Sequence, residues 1–422
     1  MFSRKHVASL LGAVLTAGAV AAAGPPAAAA SDRWFAAWAT SVHAPIPGNQ
    51  FDGPNWSLEG FTDQSVRQVV RVSAGGSEVR IRLSNAYGSG PLRLTGATVA
   101  QAGTGAGLKP GTVRPLRFGG DGSTVIPAGR SAVSDPVRLR VSALDSLTIT
   151  LYFKGPSGPA TFHQDGLTTT YRAAGDHRRD EGSAAFGGET SHSRYFITGV
   201  DVTGAGGPAG TVVAFGDSIT DGHGSTAGAD NRYPDQLAER LVRSHRRLSV
   251  VNAGIGGNKL LADSPCYGER AVTRFSRDAL SQPGVRTVVV LEGVNDIGAG
   301  GYPDYFGCGA SPEVTGPDLI AAHRQLIRSA HRAGVRVVGA TITPMKNFTG
   351  YYSADKERVR DQLNDWIRTS GEYDAVVDLD RMLSDPQDPD ALAARYDFGD
   401  GLHLNDAGAD RIADAIFRAL CC

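Results

Sequence analysis

The sequence predicts an α/β protein in which an antiparallel β-sandwich precedes a doubly wound parallel sheet. Two patterns of apolar residues support this prediction. Residues 31–205 alternate apolar and polar side chains with a period of two, whereas residues 206–422 alternate short apolar runs with amphipathic helical stretches. Residues 1–30 resemble neither pattern and are considered first.

Residues 1–30 have the three parts of an export signal. Arg4, Lys5 and His6 form a basic start, residues 7–23 are apolar, and a string of alanines ends at Ala30. The apolar part is short for a membrane span, which needs ~20 residues. We therefore expect cleavage near Ala30 and a secreted, extracellular protein, with an uncleaved membrane anchor as the alternative.

The region 31–205 is predicted to be a β-sandwich of jelly-roll-like type. Val79–Leu83, Val137–Val141 and Leu147–Leu151 each place apolar residues on one face and polar residues on the other. Glycine-rich turn signals separate such stretches, and helical periodicity is almost absent. We expect an accessory domain here, joined by a glycine-rich linker at 204–210 to a catalytic domain at 206–422.

The region after the linker is predicted to be a parallel sheet covered by helices on both faces. Apolar runs suited to buried strands lie at 212–215, 248–251, 287–291, 335–340 and 375–379. Amphipathic helical stretches lie at 234–245, 317–333, 354–369 and 407–420. In such sheets, ligands bind beyond the carboxyl ends of the strands, so these ends are where chemistry is expected.

Four of the five predicted strand ends carry polar or glycine-rich motifs. Gly216–Thr220 follows the first strand, Asn252–Asn258 the second, and Glu292–Asp296 the third. Asp400–Asn405 follows the fifth strand and a loop, while Thr341–Met345 at the fourth is interpreted as a wall of the site. The motifs occur in chain order at the edge of the sheet where a site belongs.

These motifs contain the groups that acyl transfer requires. A serine becomes a nucleophile when a base takes its proton and an acid orients that base, and Ser218, His403 and Asp400 can fill these roles. The developing oxyanion needs hydrogen-bond donors. The N–H of Ser218, a glycine N–H near Gly257 and the amide of Asn295 are suitable.

The four motifs resemble those of the SGNH, or GDSL, hydrolases, and the resemblance covers roughly residues 210–420. It implies a flavodoxin-like three-layer fold. It also implies Ser218 as nucleophile and first oxyanion donor, Asn295 as another donor, and Asp400 and His403 as the acid and base of the catalytic triad. The oxyanion glycine aligns with Gly257, and Gly254 is the alternative register. A preceding β-sandwich is similar to that of exported bacterial esterases described as arylesterases or carbohydrate-acyl esterases.

Further residues near the motifs are interpreted as structural. Three carboxylates are expected to cap turns or helices: Asp217, Asp221 and Asp296. Three histidines are expected on loop or helix surfaces: His223, His323 and His331. Three aromatic residues either form the roof of an acyl or aromatic pocket or make plain loop contacts: Tyr302, Tyr305 and Phe306.

The chain contains four cysteines, and their spacing fits neither a zinc site nor a Cys-x-x-Cys redox pair. Cys266 and Cys308 lie in glycine-, proline- and tyrosine-rich loops, and we predict that they form a disulfide. Cys421 and Cys422 could bond each other, stay free or fray. We expect no metal and no cofactor.

The composition limits the partners of the protein. Removal of Arg4 and Lys5 with the signal changes the formal net charge from −1 to about −3, which gives no electrostatic case for nucleic acid or anionic membranes. We expect a monomer without stable membrane association, whose partner is an ester substrate.

The sequence predicts a serine esterase acting on aryl esters or on acetylated or feruloylated polysaccharide. A lipase- or phospholipase-type acylhydrolase and a sugar O-acyltransferase are alternatives of the same chemistry. A carbohydrate-binding module fused to an inactive hydrolase-like scaffold is an alternative of another class. Trp34, Trp38 and Trp56 of the sandwich either bind sugar or belong to its core.

Overall fold

The structure is a computed structural model of the chain, and it describes Met1 and residues 33–48, 53–204, 206–304 and 307–421. Apart from Met1, the predicted export signal with its cleavage site at Ala30 lies outside the described residues. Tyr305, Phe306 and Cys422 lie outside them as well.

The region up to residue 203 is built from antiparallel strands, as predicted. The strands are β1 (Phe35–Ala39), β2 (Gln64–Arg71), β3 (Gly76–Ser84), β4 (Leu92–Leu94), β5 (Gly96–Gln101), β6 (Arg114–Pro115), β7 (Thr124–Ile126), β8 (Ser131–Val133), β9 (Val137–Val141), β10 (Ser146–Phe153), β11 (Phe162–His163), β12 (Thr170–Ala174), β13 (Thr190–Ser191), β14 (Arg194–Tyr195) and β15 (Ile197–Thr203).

Two sheets form the β-sandwich. One has the order β1-β15-β3-β8, with β9 also paired to β3, and the other has the order β13-β12-β2-β10-β5-β6. Val79, Ile81 and Leu83 of β3 are fully buried, and they share one hydrophobic core with Val66 of β2 and Ile149 of β10. The period-two alternation thus provides each sheet with an apolar inner face.

The second region contains a five-stranded parallel sheet, which confirms the predicted doubly wound fold. Its strands are β16 (Gly210–Gly216), β17 (Leu248–Gly254), β18 (Val285–Leu291), β19 (Arg336–Ala340) and β20 (Ala375–Val377). The order β17-β16-β18-β19-β20 is that of flavodoxin-like folds. Gly216 pairs with Gly254 on one side and with Leu291 on the other, so three strands end at the same level.

Eight α-helices accompany this sheet in the described residues. They are α1 (Ser218–Asp221), α2 (Tyr233–Arg243), α3 (Ala271–Phe275, continued by a π-helical turn at Ser276–Leu280), α4 (Val294–Gly298), α5 (Gly316–Arg332), α6 (Ala354–Thr369), α7 (Leu379–Leu383) and α8 (Asp406–Cys421). Thr315 and Asp318 form a capping box at the start of α5, and Ser353 caps α6. None of the described helices has the length and apolar character needed to cross a bilayer.

The fifth parallel strand is shorter than predicted. We expected a strand over 375–379, but β20 ends at Val377. The side chain of Asp378 accepts a hydrogen bond from the backbone N–H of Arg381 and so begins the short helix α7 at Leu379. An N-terminal cap therefore overrides the β propensity of the apolar run.

The tryptophans of the sandwich belong to its packing. Trp56 is 2% exposed and stacks on Tyr195 with ring centroids 5.6 Å apart. Trp38 packs half-buried against the same core, and the guanidinium of Arg80 lies 4.5 Å above the ring of Trp34. Of the two alternatives for these residues, the structure favours the core for Trp56 and Trp38.

The sandwich and the α/β region each have a hydrophobic core, and polar contacts join them. The backbone N–H of Val250 on β17 donates to Ser73 Oγ at 2.9 Å, and this contact is buried. Arg71 forms a 2.9 Å ion pair with Glu239 of α2. The division into two domains near residue 206 stays a prediction.

Candidate active site

Ser218 lies at the start of the short helix α1, directly after β16. The carboxylate of Asp217 accepts a hydrogen bond from the N–H of Ile219 at 3.0 Å and caps this helix, as expected. Burial raises the pKa of Asp217 to about 7. Gly216 fits because a Cβ there would lie 2.2 Å from the carbonyl oxygen of Leu291. The serine is thereby held at the end of the strand.

His403 and Asp400 form a hydrogen-bonded chain with Ser218. Ser218 Oγ and His403 Nε2 are 2.9 Å apart, and His403 Nδ1 is 2.6 Å from Asp400 Oδ2. The other oxygen of Asp400 accepts from the N–H groups of Leu402 and His403 at 3.0 and 2.9 Å. Burial opposes ionisation of Asp400, but these hydrogen bonds outweigh it and hold the pKa of the carboxyl well below its usual range.

Gly257 is brought to the same cavity as Ser218, and Gly254 is not placed there. Gly257 has a φ of +70°, and a Cβ on it would lie 2.5 Å from the ring of Tyr267. Gly254 pairs with Gly216 inside the sheet. Of the two registers considered, the structure therefore places Gly257 in the lining of the cavity that contains Ser218.

Asn295 on α4 is buried and hydrogen-bonded at both ends of its amide. Its Nδ2 donates to the carbonyl oxygen of Asn258 at 2.9 Å, and its Oδ1 accepts from the hydroxyl of Tyr351 at 3.0 Å. The amide is thus fixed between the Gly257 loop and Tyr351. It lies in the lining of the cavity that contains Ser218.

Asp296 caps a turn, as expected. Its two carboxylate oxygens accept from the N–H groups of Leu260 and Leu261 at 2.6 and 2.9 Å. Burial raises the pKa of this carboxyl to about 6. The contacts tie α4 to the loop that follows Gly257.

Asp221, which we expected to cap a turn, also contacts the sandwich in the structure. Its carboxylate is 2% exposed, and Oδ1 lies 3.0 Å from Nε2 of His163 in the sandwich. Oδ2 accepts from the N–H of Gly256 at 3.0 Å. One oxygen thus binds a turn, as expected, and the expectation missed the contact of the other oxygen with His163, which comes from a distant strand.

The cavity in front of Ser218 has a volume of about 590 Å³ and an aromatic side. Its aromatic residues are Tyr267, Tyr302, Phe348 and Tyr351. Tyr302 therefore lies where the pocket alternative placed it. Cys266 and Cys308 are joined by the predicted disulfide, with Cα atoms 5.0 Å apart, so the loops of Tyr267 and Tyr302 are linked covalently.

Part of the cavity lining comes from the sandwich, and the sequence analysis missed it. His43, Gln164 and Asp165 line the cavity. Burial lowers the pKa of His43 to about 3. The residues belong to no motif, and a polar cluster after a short strand was the one signal that could have indicated Gln164 and Asp165.

One of the three histidines expected on loop or helix surfaces is buried instead. His223 lies on the loop after α1, as expected, with 40% of its side chain exposed, and it also lines the cavity, with its ring 4.4 Å from that of His403 and Nδ1 3.4 Å from Asp165 Oδ2. His323 is fully buried on α5 beside the hydroxyl of Tyr373, because it lies on the inner face of the helix. Burial lowers the pKa of His323 to about 4. His331 is on the surface, as expected.

One group of residues has the composition of a metal site. His223, Asp400 and His403 each offer a ligand atom, and these atoms lie within 4.8 Å of one another. However, Nδ1 of His403 already contacts Asp400 and Nε2 contacts Ser218. Both ring nitrogens of His403 thus have partners in the chain itself, and we assign no metal to this group.

Comparison with known proteins adds the family. Residues 214–411 match the model of the GDSL-like lipase/acylhydrolase family. None of the curated proteins matches the chain.

Solved structures with a similar backbone include three hydrolases. A GDSL-like lipase from Bacteroides thetaiotaomicron is 17% identical and has a TM-score of 0.37, covering 50% of this chain and 87% of its own. A lipase/acylhydrolase from Enterococcus faecalis is 18% identical, with a TM-score of 0.38 and coverages of 50% and 94%. A mutant of an acetyl-xylooligosaccharide esterase from Geobacillus Stearmophilus is 19% identical, with a TM-score of 0.39 and coverages of 51% and 96%.

The parallel sheet and the family match together define the class of protein, which is a hydrolase that acts on esters. The match of residues 214–411 to the GDSL-like lipase/acylhydrolase family confirms the resemblance found in the sequence motifs.

Proposed function

We propose that the chain is a secreted serine esterase that hydrolyses carboxylic esters through an acyl-enzyme. The observation that carries this proposal is the chain of contacts from Ser218 Oγ to His403 Nε2 at 2.9 Å and from His403 Nδ1 to Asp400 Oδ2 at 2.6 Å. It lies at the carboxyl ends of a doubly wound sheet, where such folds bind ligands.

The carboxylate of Asp400 accepts the hydrogen bond from Nδ1, which leaves Nε2 of His403 to take the proton of Ser218. Ser218 Oγ then attacks the ester carbonyl, and a tetrahedral intermediate forms. As it collapses, His403 returns the proton to the leaving alcohol. Water, deprotonated by the same imidazole, then releases the acid from the acyl-enzyme.

The N–H groups of Ser218 and Gly257 and one N–H of Asn295 serve as the oxyanion donors in this proposal. The amide of Asn295 has two N–H bonds, and one is donated to the carbonyl oxygen of Asn258. The second is the one we assign to the oxyanion. Donors fixed in advance stabilise the transition state because they need no reorganisation during the reaction.

The substrates we propose are aryl esters and acetylated or feruloylated polysaccharides. The cavity volume of about 590 Å³ suits a small acyl or aryl group, and its aromatic side can pack against a ring. The polar residues Gln164 and Asp165 of the lining can form hydrogen bonds with hydroxyl groups of a sugar substrate. Export is supported by the pattern of residues 1–30 and is compatible with the Cys266–Cys308 disulfide.

The nucleophile is tested by Ser218→Ala, assayed with p-nitrophenyl acetate. We expect kcat to fall by ~10⁶-fold, because no other group can form the acyl-enzyme. Ser225→Ala, in the loop after α1, is the matched control and should retain activity within about twofold. A fluorophosphonate probe should label Ser218 of the wild-type protein stoichiometrically, as detected by peptide mass spectrometry. Near-normal turnover of Ser218→Ala would refute the proposed function.

The substrate class is tested with p-nitrophenyl esters of increasing chain length, methyl ferulate and acetylated xylan. We expect kcat/KM to fall once the acyl chain exceeds what a cavity of about 590 Å³ can enclose. Highest activity on long-chain esters would favour a lipase-type activity instead.

A further inference from the structure

Asp221 connects the two elements that carry the proposed nucleophile and oxyanion donor. It is the last residue of α1, which begins with Ser218, and its backbone N–H donates to the carbonyl oxygen of Asp217 at 2.8 Å. Its side-chain Oδ2 accepts from the N–H of Gly256, the residue before Gly257. One carboxylate therefore fixes the position of the Gly257 peptide relative to Ser218.

The other oxygen of this carboxylate is held by the sandwich. Nε2 of His163 on β11 lies 3.0 Å from Oδ1 of Asp221, and the two side chains are 4% and 2% exposed. Among the described residues, Nδ1 of His163 has no hydrogen-bond partner, so the contact with Asp221 fixes the ring. Burial alone would lower the pKa of His163, but the charge of Asp221, its hydrogen bond to the ring and the charge of Asp165 together outweigh burial and raise the pKa above its usual value.

We propose that His163 is a positioning residue for the oxyanion hole, which it orients through Asp221 and the N–H of Gly256. The proposal rests on the proposed function, because it assumes that the N–H of Gly257 binds the oxyanion. If it is correct, the β-sandwich contributes to the rate of the reaction through His163 and is more than an accessory domain.

The physical reason is the geometry of a buried carboxylate with two partners. With His163 present, Oδ1 is satisfied by the imidazole and Oδ2 is free to accept from Gly256. Without His163, Oδ1 of this buried carboxylate loses its hydrogen-bond partner and must find another donor or move toward water, at the expense of the bond to Gly256. A displacement of the Gly257 N–H by a fraction of an ångström weakens an interaction that matters chiefly in the transition state.

The test compares two substitutions that differ by one methylene. The side chain of His163→Gln extends far enough to donate to Asp221 Oδ1, whereas that of His163→Asn is too short. His163→Phe keeps the ring volume and removes the donor. Each variant is assayed as the full chain with p-nitrophenyl acetate, and its active sites are titrated with a fluorophosphonate, so that kcat refers to folded, reactive enzyme.

Ser73→Ala is the matched control. Ser73 also lies in the sandwich and makes a buried contact with β17, but its partner is the N–H of Val250, within the strand and before the loop of Gly257. The control therefore loosens the same boundary between the two regions without touching Asp221. Ser218→Ala is included to test the proposed function separately.

We expect His163→Asn and His163→Phe to lower kcat by ~10–10²-fold with KM within about threefold, since the lost interaction belongs to the transition state. His163→Gln should recover most of the rate, and Ser73→Ala should remain within about twofold of wild type. If one removal variant does not fold, the other decides.

Three results would overturn the inference: unchanged kcat in the removal variants, an equal loss in Ser73→Ala, or a rise in KM at constant kcat. If Ser218→Ala is inactive while His163→Asn turns over normally, the inference fails and the esterase assignment stands. If Ser218→Ala is active, the proposed function itself fails.

Discussion

The amide of Asn295, a proposed oxyanion donor, is held by two hydrogen bonds to other residues of the chain. Its Oδ1 accepts from the hydroxyl of Tyr351, and one of its N–H bonds is donated to Asn258. These two contacts determine which way the amide faces, and so which atom lies toward the cavity. The proposed oxyanion donor therefore depends on Tyr351 as a positioning residue.

Asn295→Ala should lower kcat by ~10²–10³-fold and leave a measurable remnant, since the two backbone donors remain. Tyr351→Phe should cost less, because the amide stays in place but is oriented only by Asn258. Steady-state kinetics with p-nitrophenyl acetate measures both effects. A wild-type kcat in Asn295→Ala would remove this residue from the proposed oxyanion hole.

At the scale of residues, the sequence predicted the groups that lie in local motifs and missed those that do not. Ser218, Asn295 and His403 each follow a buried strand or a turn that the pattern of residues reveals. His163 and Asp165 are more than fifty residues before Ser218, in a region whose periodicity indicates only strands. Their place beside the site depends on tertiary packing, which one sequence does not encode in any local pattern.

Helix α5 contains a buried titratable group that should make stability depend on pH. The pKa of His323 is lowered by burial from 6.5 to about 4. Between pH 6.5 and pH 4, His323 is protonated in the unfolded chain and neutral in the folded chain. The stability contributed by neutral His323 is therefore fully present above pH 6.5 and is lost as the pH falls toward 4.

His323→Phe should lose less stability on acidification than the wild type does. Between pH 7.5 and pH 5 we expect this group to account for about 2 kcal/mol of the wild-type decrease in the free energy of unfolding. Urea unfolding followed by circular dichroism at the two pH values measures it. Parallel decreases in the two proteins would show that His323 is protonated in the folded state.

The Cys266–Cys308 disulfide links two loops of the cavity across 42 residues of chain. The double variant Cys266→Ser/Cys308→Ser should lose about 2–4 kcal/mol of stability. It should also raise KM more than it lowers kcat, because the loops of Tyr267 and Tyr302 line the cavity and do not contain the reacting groups. Cys421→Ser is the control. A change confined to kcat would contradict this assignment of the loops.

At the scale of elements, long periodic segments were predictable and short ones were not. Helices α2, α5, α6 and α8 begin and end within two residues of the predicted bounds, since each spans three turns or more. Helices α1, α4 and α7 have four or five residues, too few for a helical period, and α1 and α7 begin at the single caps Asp217 and Asp378.

At the scale of the whole molecule, the sandwich and the site should be lost together. Trp34, Trp38 and Trp56 lie in the sandwich, and Trp366 of α6 is the fourth tryptophan of the chain. In a Trp366→Phe background, every remaining tryptophan lies in the sandwich, so tryptophan fluorescence follows the unfolding of this region. We expect its urea transition to coincide with the loss of esterase activity, because the cavity is lined from both regions.

Trp366→Phe itself should keep wild-type activity in the absence of urea, which validates the background. If the fluorescence transition occurred at a lower urea concentration than inactivation, the α/β region would work without a folded sandwich. That result would contradict a catalytic contribution from the sandwich, whatever the stability of either region.

The buried contact between His163 and Asp221 limits how freely the two halves of this protein can be exchanged. A chimaera that joins this α/β half to the sandwich of another enzyme keeps the motifs at the strand ends. It removes the hydrogen-bond partner of Asp221 Oδ1, unless the other sandwich has a donor at the same point. A crossover at the glycine-rich linker separates His163 from Asp221. A recombination experiment should therefore exchange the sandwich and the α/β region together.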